Sequence, residues 1–388
     1  MGHVERFAGS SLLGEPNFVE VERAIAELRS GRPVAIENRD TSHLTLPVDW
    51  LDARQLAAFR RFCAPVQPVL TLTAARAREL RIESDSGVTL TLPPDADAPW
   101  VRSIASDARF PFDGSFVPAT AEMEAALRLC KLAHRLPAVL SVEGQTGRWD
   151  GIQPAPMTLQ ADAVAGFRDR AVRALKITGE ARVPLQNGVS ARFIIFRGMI
   201  GGESAAIVIG DPDFSKPVQV RLHSACLTGD VFGSRRCDCG DQLKLALEQI
   251  ADTGGGVILY LDQEGRGVGL ANKMRAYALQ DAGLDTVDAN TALGFEDDER
   301  DYGVAGRMLQ MIGCAKVRLM TNNPAKIDGL LEAGIEISGR VPLITPVNGD
   351  NRRYLAAKAT RAGHSLDHLF EQLAANDCAI VPDKEAAS

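Results

Sequence analysis

The sequence predicts an α/β chain, mixed α+β in detail, organised as two domains. Three observations carry this. The 388 residues are about two ordinary domain lengths. Apolar residues make up 45% of them, enough for ordinary globular cores. Short apolar runs alternate along the chain with segments of helical period.

The elements follow in order. EVERAIAELRSG reads as an amphipathic helix closed by Gly31, and PVAIE as a short strand. ARQLAAFRRFC is a second helix and VQPVLTLT a buried strand. ATAEMEAALRLCKLAHRL is a long helix leading into the strand AVLSVE. Residues 144–160 are rich in Gly, Pro and Gln and read as a loop, followed by a helix over AVAGFRDRAVRALK. The second domain begins near residue 178, giving domains 1–178 and 179–388. Its strands are ARFIIFRG, ESAAIVIGD, PVQVRLHS, GGVILYLD and KVRLMTNN. GGVILYLD is almost continuously apolar, as a strand buried on both faces should be. DQLKLALEQIADTGGG, ANKMRAYALQDAG and AKIDGLLEAG read as its helices, and the tail beyond about Ala375 as frayed.

Composition excludes several classes. The N-terminal MGHVERFAG lacks the apolar centre of a signal peptide, and no run is long enough to span a membrane. Seven cysteines, an odd number, argue against a disulfide framework and for a reducing cytoplasm. A net charge of −7 disfavours nucleic acid as a partner. An anionic substrate then needs a local basic pocket, for which Arg221, Arg235, Arg236 and Arg266 are candidates.

Cys226, Cys237 and Cys239 lie in RLHSACLTGDVFGSRRCDCGDQL with the spacing C-x10-C-x-C. Thiolates are soft ligands that suit zinc. Three of them leave a tetrahedral ion one open position for water, whose pKa zinc lowers to roughly 7. The stretch reads as a catalytic zinc site. A closed structural site, completed by His223 or a distant residue, stays open on spacing alone. Cys63, Cys130, Cys314 and Cys378 read as core or surface thiols.

Three further segments bear on chemistry. QEGRGVGL joins a strand to a helix, and its Gly265, Gly267 and Gly269 let main-chain N–H groups approach a phosphate beside Arg266. A plain tight turn is the alternative. It is neither a Walker A loop nor a full dinucleotide fingerprint. FEDDERDYG offers Asp298 as a base beside Arg300, or is only a solvated charged loop. TNNPAK opens a helix at Pro324, with Thr321 and Lys326 placed to meet phosphate or base edges.

In this order, HSACLTGDVFGSRRCDCG, QEGRGVGLANKMRAYALQDAGLDT, LGFEDDERDYG and LMTNNPAK closely resemble GTP cyclohydrolase II, over roughly residues 179–370. The resemblance implies hydrolytic opening of the GTP imidazole ring. The products would be formate, pyrophosphate and 2,5-diamino-6-ribosylamino-4(3H)-pyrimidinone 5′-phosphate. It implies Cys226, Cys237 and Cys239 as zinc ligands. It implies Arg221, His223, Ser224, Gln242, Glu264, Gly265, Arg266, Thr286, Thr321 and Lys326 as GTP contacts. Asp298 matches the proton acceptor, Arg300 the nucleophile at the α-phosphorus, and Tyr277 a tyrosine near the zinc-bound water. Magnesium is expected on the triphosphate. GTP and a second copy of the chain are the expected partners. A nucleotide sensor without turnover and a GTP pyrophosphohydrolase remain alternatives. Where the family reads HSEC this chain has Ala225, which removes one contact.

AIAELRSGRPVAIE and EMEAALRLCKLAHRLPAVLSVE resemble, more faintly, 3,4-dihydroxy-2-butanone 4-phosphate synthase. That family's acidic magnesium-binding run is replaced here by ENRDTSHLTLP, and its metal-binding histidine by Glu122. Without hard-cation ligands no synthase activity is expected.

Overall fold

The computed structural model describes residues 14–185, 188–198, 202–343 and 345. They form two compact units, each discontinuous in sequence. One takes the described residues up to Thr178 together with those of Ile195–Ser204 and Asp262–Val304. The other takes those of Gly179–Ile194, Ala205–Leu261 and from Ala305 onward. A single cut at 178/179 therefore does not reproduce the compact units, because 262–304 shares the core of the N-terminal residues.

The first sheet has strands β1 (Val34–Asn38), β2 (Thr41–Pro47), β3 (Val69–Leu72), β4 (Val88–Thr91), β5 (Phe116–Pro118), β6 (Ala138–Gln145) and β7 (Met157–Gln160). Their order is β5-β4-β3-β6-β2-β1-β7. Neighbours run antiparallel except the β1/β7 edge, which is parallel. Side chains alternate across a strand. Val34, Ile36 and Val139 accordingly join a core with helices Pro16–Arg29 and Ala121–Leu132. Ala35, Ala138 and Leu140 face the opposite core, with helices Ala53–Cys63 and Ala98–Ser106. Helices thus cover both sheet faces. Val268, Ala276, Ala289, Leu293 and Phe295 complete the second of these cores.

Two local expectations change. The helix expected over AVAGFRDRAVRALK is two short ones, Ala161–Ala165 and Phe167–Arg173, divided at Gly166; glycine is a poor interior helix residue. The expected 144–160 loop ends in β7, whose four residues pair with β1 more than a hundred positions earlier. Such distant pairing leaves no local signal.

The second sheet has β8 (Lys176–Pro184), β9 (Ser190–Arg197), β10 (Glu203–Gly210), β11 (Val218–Ser224), β12 (Gly255–Leu261), β13 (Lys316–Met320) and β14 (Glu336–Val341). The order is β14-β13-β11-β12-β10-β9-β8, with β11 parallel to both β12 and β13. The apolar β12 is buried between β11 and β10, as its composition requires. Ala246 and Ile250 of helix Cys239–Asp252 pack with Ile209, Ile258 and Met320. The frayed tail lies outside the described residues. So does Cys378, whereas Cys63, Cys130 and Cys314 are buried thiols. Burial pushes Cys63 and Cys314 up to about 11, which makes them unreactive.

Candidate functional site

The candidate residues fall into two constellations, each within one compact unit. The first grows from the end of β11. Val218, Val220 and Leu222 enter the core, so Gln219, Arg221 and His223 project from the other face, all buried. The Arg221 guanidinium donates to the Met320 carbonyl at 3.0 Å and to Gln242 Oε1 at 2.5 Å. Lys326 Nζ donates to the Leu222 carbonyl at 2.7 Å. Thr321 accepts from the Asn323 N–H at 3.0 Å, and Asn323 caps the helix that Pro324 opens. The fold thus gathers Arg221, Gln242, Thr321 and Lys326 where β11, β13 and two helix starts meet. Ser224 closes β11, half-buried, and Ala225 N–H pairs with Leu261 O at 2.8 Å.

Beyond β11 the chain makes a wide turn over Leu227–Val231, which brings Cys226 back to Cys237 and Cys239 at the start of helix Cys239–Asp252. The three sulfur atoms lie within 4.8 Å of one another, and Cys226 Sγ is 3.7 Å from Cys237 Sγ. Zinc–sulfur bonds of 2.3 Å at tetrahedral angles require sulfurs about 3.8 Å apart. The cradle fits such an ion. The hydrogen bond shared with Cys226 pushes the Cys237 thiol up, so an ion bound there would displace a proton.

Gly229 makes the cradle sterically possible. A Cβ there would sit 2.9 Å from Cys237 Sγ and 3.1 Å from Cys226 Sγ. Asp230 fixes the turn, accepting from Cys226 N–H at 3.0 Å, Tyr260 O–H at 2.9 Å and His223 Nε2 at 3.0 Å. His223 stacks on Tyr260 with ring centroids 5.5 Å apart. Its Nε2 is engaged with Asp230, and it does not join the sulfur cluster, so it is not the fourth ligand. Burial pushes the imidazole below its ordinary value, so it is neutral at pH 7 with Nδ1 a buried acceptor. Gly229, Asp230 and Tyr260 escaped sequence reasoning. The only signal was a Gly-Asp pair inside the cysteine spacing.

The second constellation lies in 262–304. Gly265 and Arg266 both adopt left-handed backbone, with φ of 64° and 61°, followed by Gly267 at 91°. The turn is closed by its own hydrogen bonds: Gly265 N–H donates to Glu264 Oε1 at 3.0 Å and Gly267 N–H to the Gln263 carbonyl at 3.2 Å. Gly267 is required for a second reason, since a Cβ would lie 2.9 Å from the Glu299 carbonyl. Glu264 pairs with Lys273 at 2.8 Å, and Lys273 Nζ stands 5.7 Å from the Tyr277 ring centroid. Arg266 pairs with Asp297 at 2.5 Å.

Asp298 and Arg300 form a fork, with Nε to Oδ1 at 2.7 Å and Nη2 to Oδ2 at 2.5 Å. Burial opposes ionisation of Asp298, but the Arg300 guanidinium outweighs it and holds the carboxyl below its ordinary value. The fold thereby connects Glu264, Gly265 and Arg266 with the Asp298/Arg300 loop. Thr286 opens helix Thr286–Ala292, where Gln280 Nε2 reaches its hydroxyl at 3.5 Å. The charged 295–303 segment is no solvated loop, because Phe295 and Tyr302 are buried at its two ends.

Fold and site together define a class: an α/β protein with a three-thiol cluster that could hold a metal ion. Comparison with known proteins narrows it. Residues 176–342 match the family model described as GTP cyclohydrolase II. The "GTP cyclohydrolase-2" of Azospirillum brasilense is 43% identical over 363 residues, covering 89% of this chain and 93% of that protein. The "GTP cyclohydrolase-2" of Xylella fastidiosa strain 9a5c is 38% identical over 359 residues, covering 91% and 89%. The "Riboflavin biosynthesis protein RibBA" of Salinispora arenicola is 35% identical over 398 residues, covering 90% and 94%. The chain belongs to the GTP cyclohydrolase II family. The similarity reaches well to the N-terminal side of residue 176. Among the described residues no helix is long and apolar enough to cross a membrane.

Proposed function

We propose that this chain hydrolyses GTP to 2,5-diamino-6-ribosylamino-4(3H)-pyrimidinone 5′-phosphate, formate and pyrophosphate, the first step of riboflavin biosynthesis. The observation that carries this reading is the sulfur cradle, with its 3.7 Å Cys226–Cys237 separation, in a chain of this family. Cys226, Cys237 and Cys239 hold zinc. When bound, zinc would supply Lewis acidity and a water whose pKa is lowered to roughly 7. Arg221, His223, Ser224, Gln242, Glu264, Gly265, Arg266, Thr286, Thr321 and Lys326 serve as the nucleotide contacts. His223 Nδ1, a buried acceptor, suits a donor on the ligand. Magnesium accompanies the triphosphate. A homodimer and a cytoplasmic location belong to the same reading.

Arg300 acts on the α-phosphate electrostatically, with Asp298 orienting it through the two-pronged fork and Tyr277 beside the base. Arginine stays protonated above pH 12. Moving its proton to a carboxyl held below the ordinary range costs on the order of 10 kcal/mol. That gap weighs against a covalent nucleophile. Residues 179–388 are the catalytic part. Residues 1–178 carry no synthase activity: ENRDTSHLTLP forms the β1/β2 hairpin without an acidic run, and Glu122 accepts from Thr41 Oγ1 at 3.3 Å.

The test is product analysis of the purified chain with GTP. Equimolar formate, pyrophosphate and diaminopyrimidine are expected. GMP and pyrophosphate without formate would establish a pyrophosphohydrolase instead. Binding without any product would establish a sensor.

A further inference from the structure

We propose that the N-terminal, synthase-like residues are a scaffold that sets the working geometry of the Asp298/Arg300 loop, with Lys131 as a positioning residue. This rests on the reading that Asp298 and Arg300 serve the phosphate chemistry. Lys131 lies in the last turn of helix Ala121–Leu132. Its Nζ is 2.5 Å from Glu299 Oε1, and the two side chains are only 19% and 11% exposed. Glu299 stands between Asp298 and Arg300 in the chain. Screening is weak at that exposure, so the pair holds its geometry better than a surface pair would.

The N–H, the carbonyl and the Oε1 of Glu299 are all tied down. Its carboxylate also accepts the Glu296 N–H at 2.9 Å. Its N–H donates to the Arg266 carbonyl at 3.1 Å, and its carbonyl accepts from Arg168 at 3.4 Å. The entry to the loop is anchored on the same N-terminal residues. Thr73 Oγ1 donates to the Gly294 carbonyl at 2.8 Å, and Arg76 Nη1 to the Ala292 carbonyl at 2.9 Å. Phe295 is buried in one core with Leu72 and Leu90. The glycine turn is held likewise, since Asn272 Nδ2 donates to the His134 carbonyl at 3.0 Å. Lys131 is the one side-chain cation paired to the residue separating Asp298 from Arg300 among the described ion pairs. A displacement of about 1 Å at a reacting group can lower turnover about a hundredfold.

The test uses the full chain with zinc bound. Lys131→Met is expected to lower kcat for formate and pyrophosphate release about tenfold to a hundredfold. KM, zinc content and thermal midpoint should stay close to wild type. Lys131→Arg, which keeps the charge and can reach Glu299, should recover most of kcat. Combining Lys131→Met with Glu299→Gln should cost no more than either change alone, because both remove the same charge pair. Wild-type kcat in folded Lys131→Met overturns the proposal, as do a loss confined to KM, no recovery in Lys131→Arg, or additive losses. If Lys131→Met does not fold, Glu299→Gln decides, since it keeps an acceptor for Glu296 N–H; wild-type kcat there overturns the scaffold. Wild type without formate release, or full pyrophosphate release by Arg300→Ala, would defeat the site reading and the scaffold with it. Those two controls behaving as expected beside an unimpaired Lys131→Met would defeat the scaffold alone.

Discussion

The cysteine cradle and the 295–303 loop are made in opposite ways. The cradle is local. Fourteen consecutive residues from Cys226 to Cys239 contain all three thiols, and Gly229 and Asp230 within that stretch shape the turn. Its long-range requirements are modest, namely the parallel pairing of β11 with β12 and the Tyr260 hydroxyl on Asp230. The loop is the reverse. Asp298 and Arg300 are two residues apart, but the segment that carries them is bonded to Lys131, Thr73, Arg76 and Arg168, all more than a hundred positions away. A metal site can be written into a short stretch because its ligands need only converge on one point. A site that must present a cation at a defined place needs a frame, and the frame comes from distant chain.

The comparison breaks most sharply at the metal. Cys237→Ser should lose zinc and formate release together, with formate reduced to background, while the fold is retained. Metal analysis alongside the formate assay checks this. Full activity without zinc would end the catalytic-metal reading, and global unfolding would make the cradle structural. A step smaller, Arg300→Ala should lower pyrophosphate release by roughly a hundred- to thousandfold, about 2.7–4 kcal/mol, with zinc content unchanged. Arg300→Lys keeps the charge without the planar fork, so partial activity is expected for the electrostatic role. Wild-type rates in Arg300→Ala would return the segment to an ordinary charged loop.

The smallest effect probes the frame. Arg76 is 1% exposed and donates to four carbonyls, those of Ile104, Ala292, Asp107 and Ser103. Burial pulls its guanidinium down to about 10, still charged at neutral pH. Arg76→Met removes a donor from each of those carbonyls, of which Ser103 keeps the Asp107 N–H, and should cost on the order of 2 kcal/mol. Denaturant midpoints measure it. An unchanged midpoint would mean that the apolar core alone holds 262–304.

Much of this protein is determined by the sequence alone. Helix Ala53–Cys63 coincides with its predicted span, and β12 is as buried as its composition requires. Their signals are periodicity and apolar runs, which act over neighbouring residues. The three thiols were legible because C-x10-C-x-C brings soft ligands together with little help from elsewhere. Only the tertiary structure decided the rest. It joined 262–304 to the N-terminal core through Val268, Leu293 and Phe295, a partition no linear boundary expresses. It paired β7 with β1, and it turned FEDDERDYG from a run of charges into a loop with buried ends and a paired Glu299. The physical reason is range. Propensity and spacing act over a few residues, whereas burial of a charge depends on which distant groups arrive to satisfy it, and that is settled only when the chain has folded.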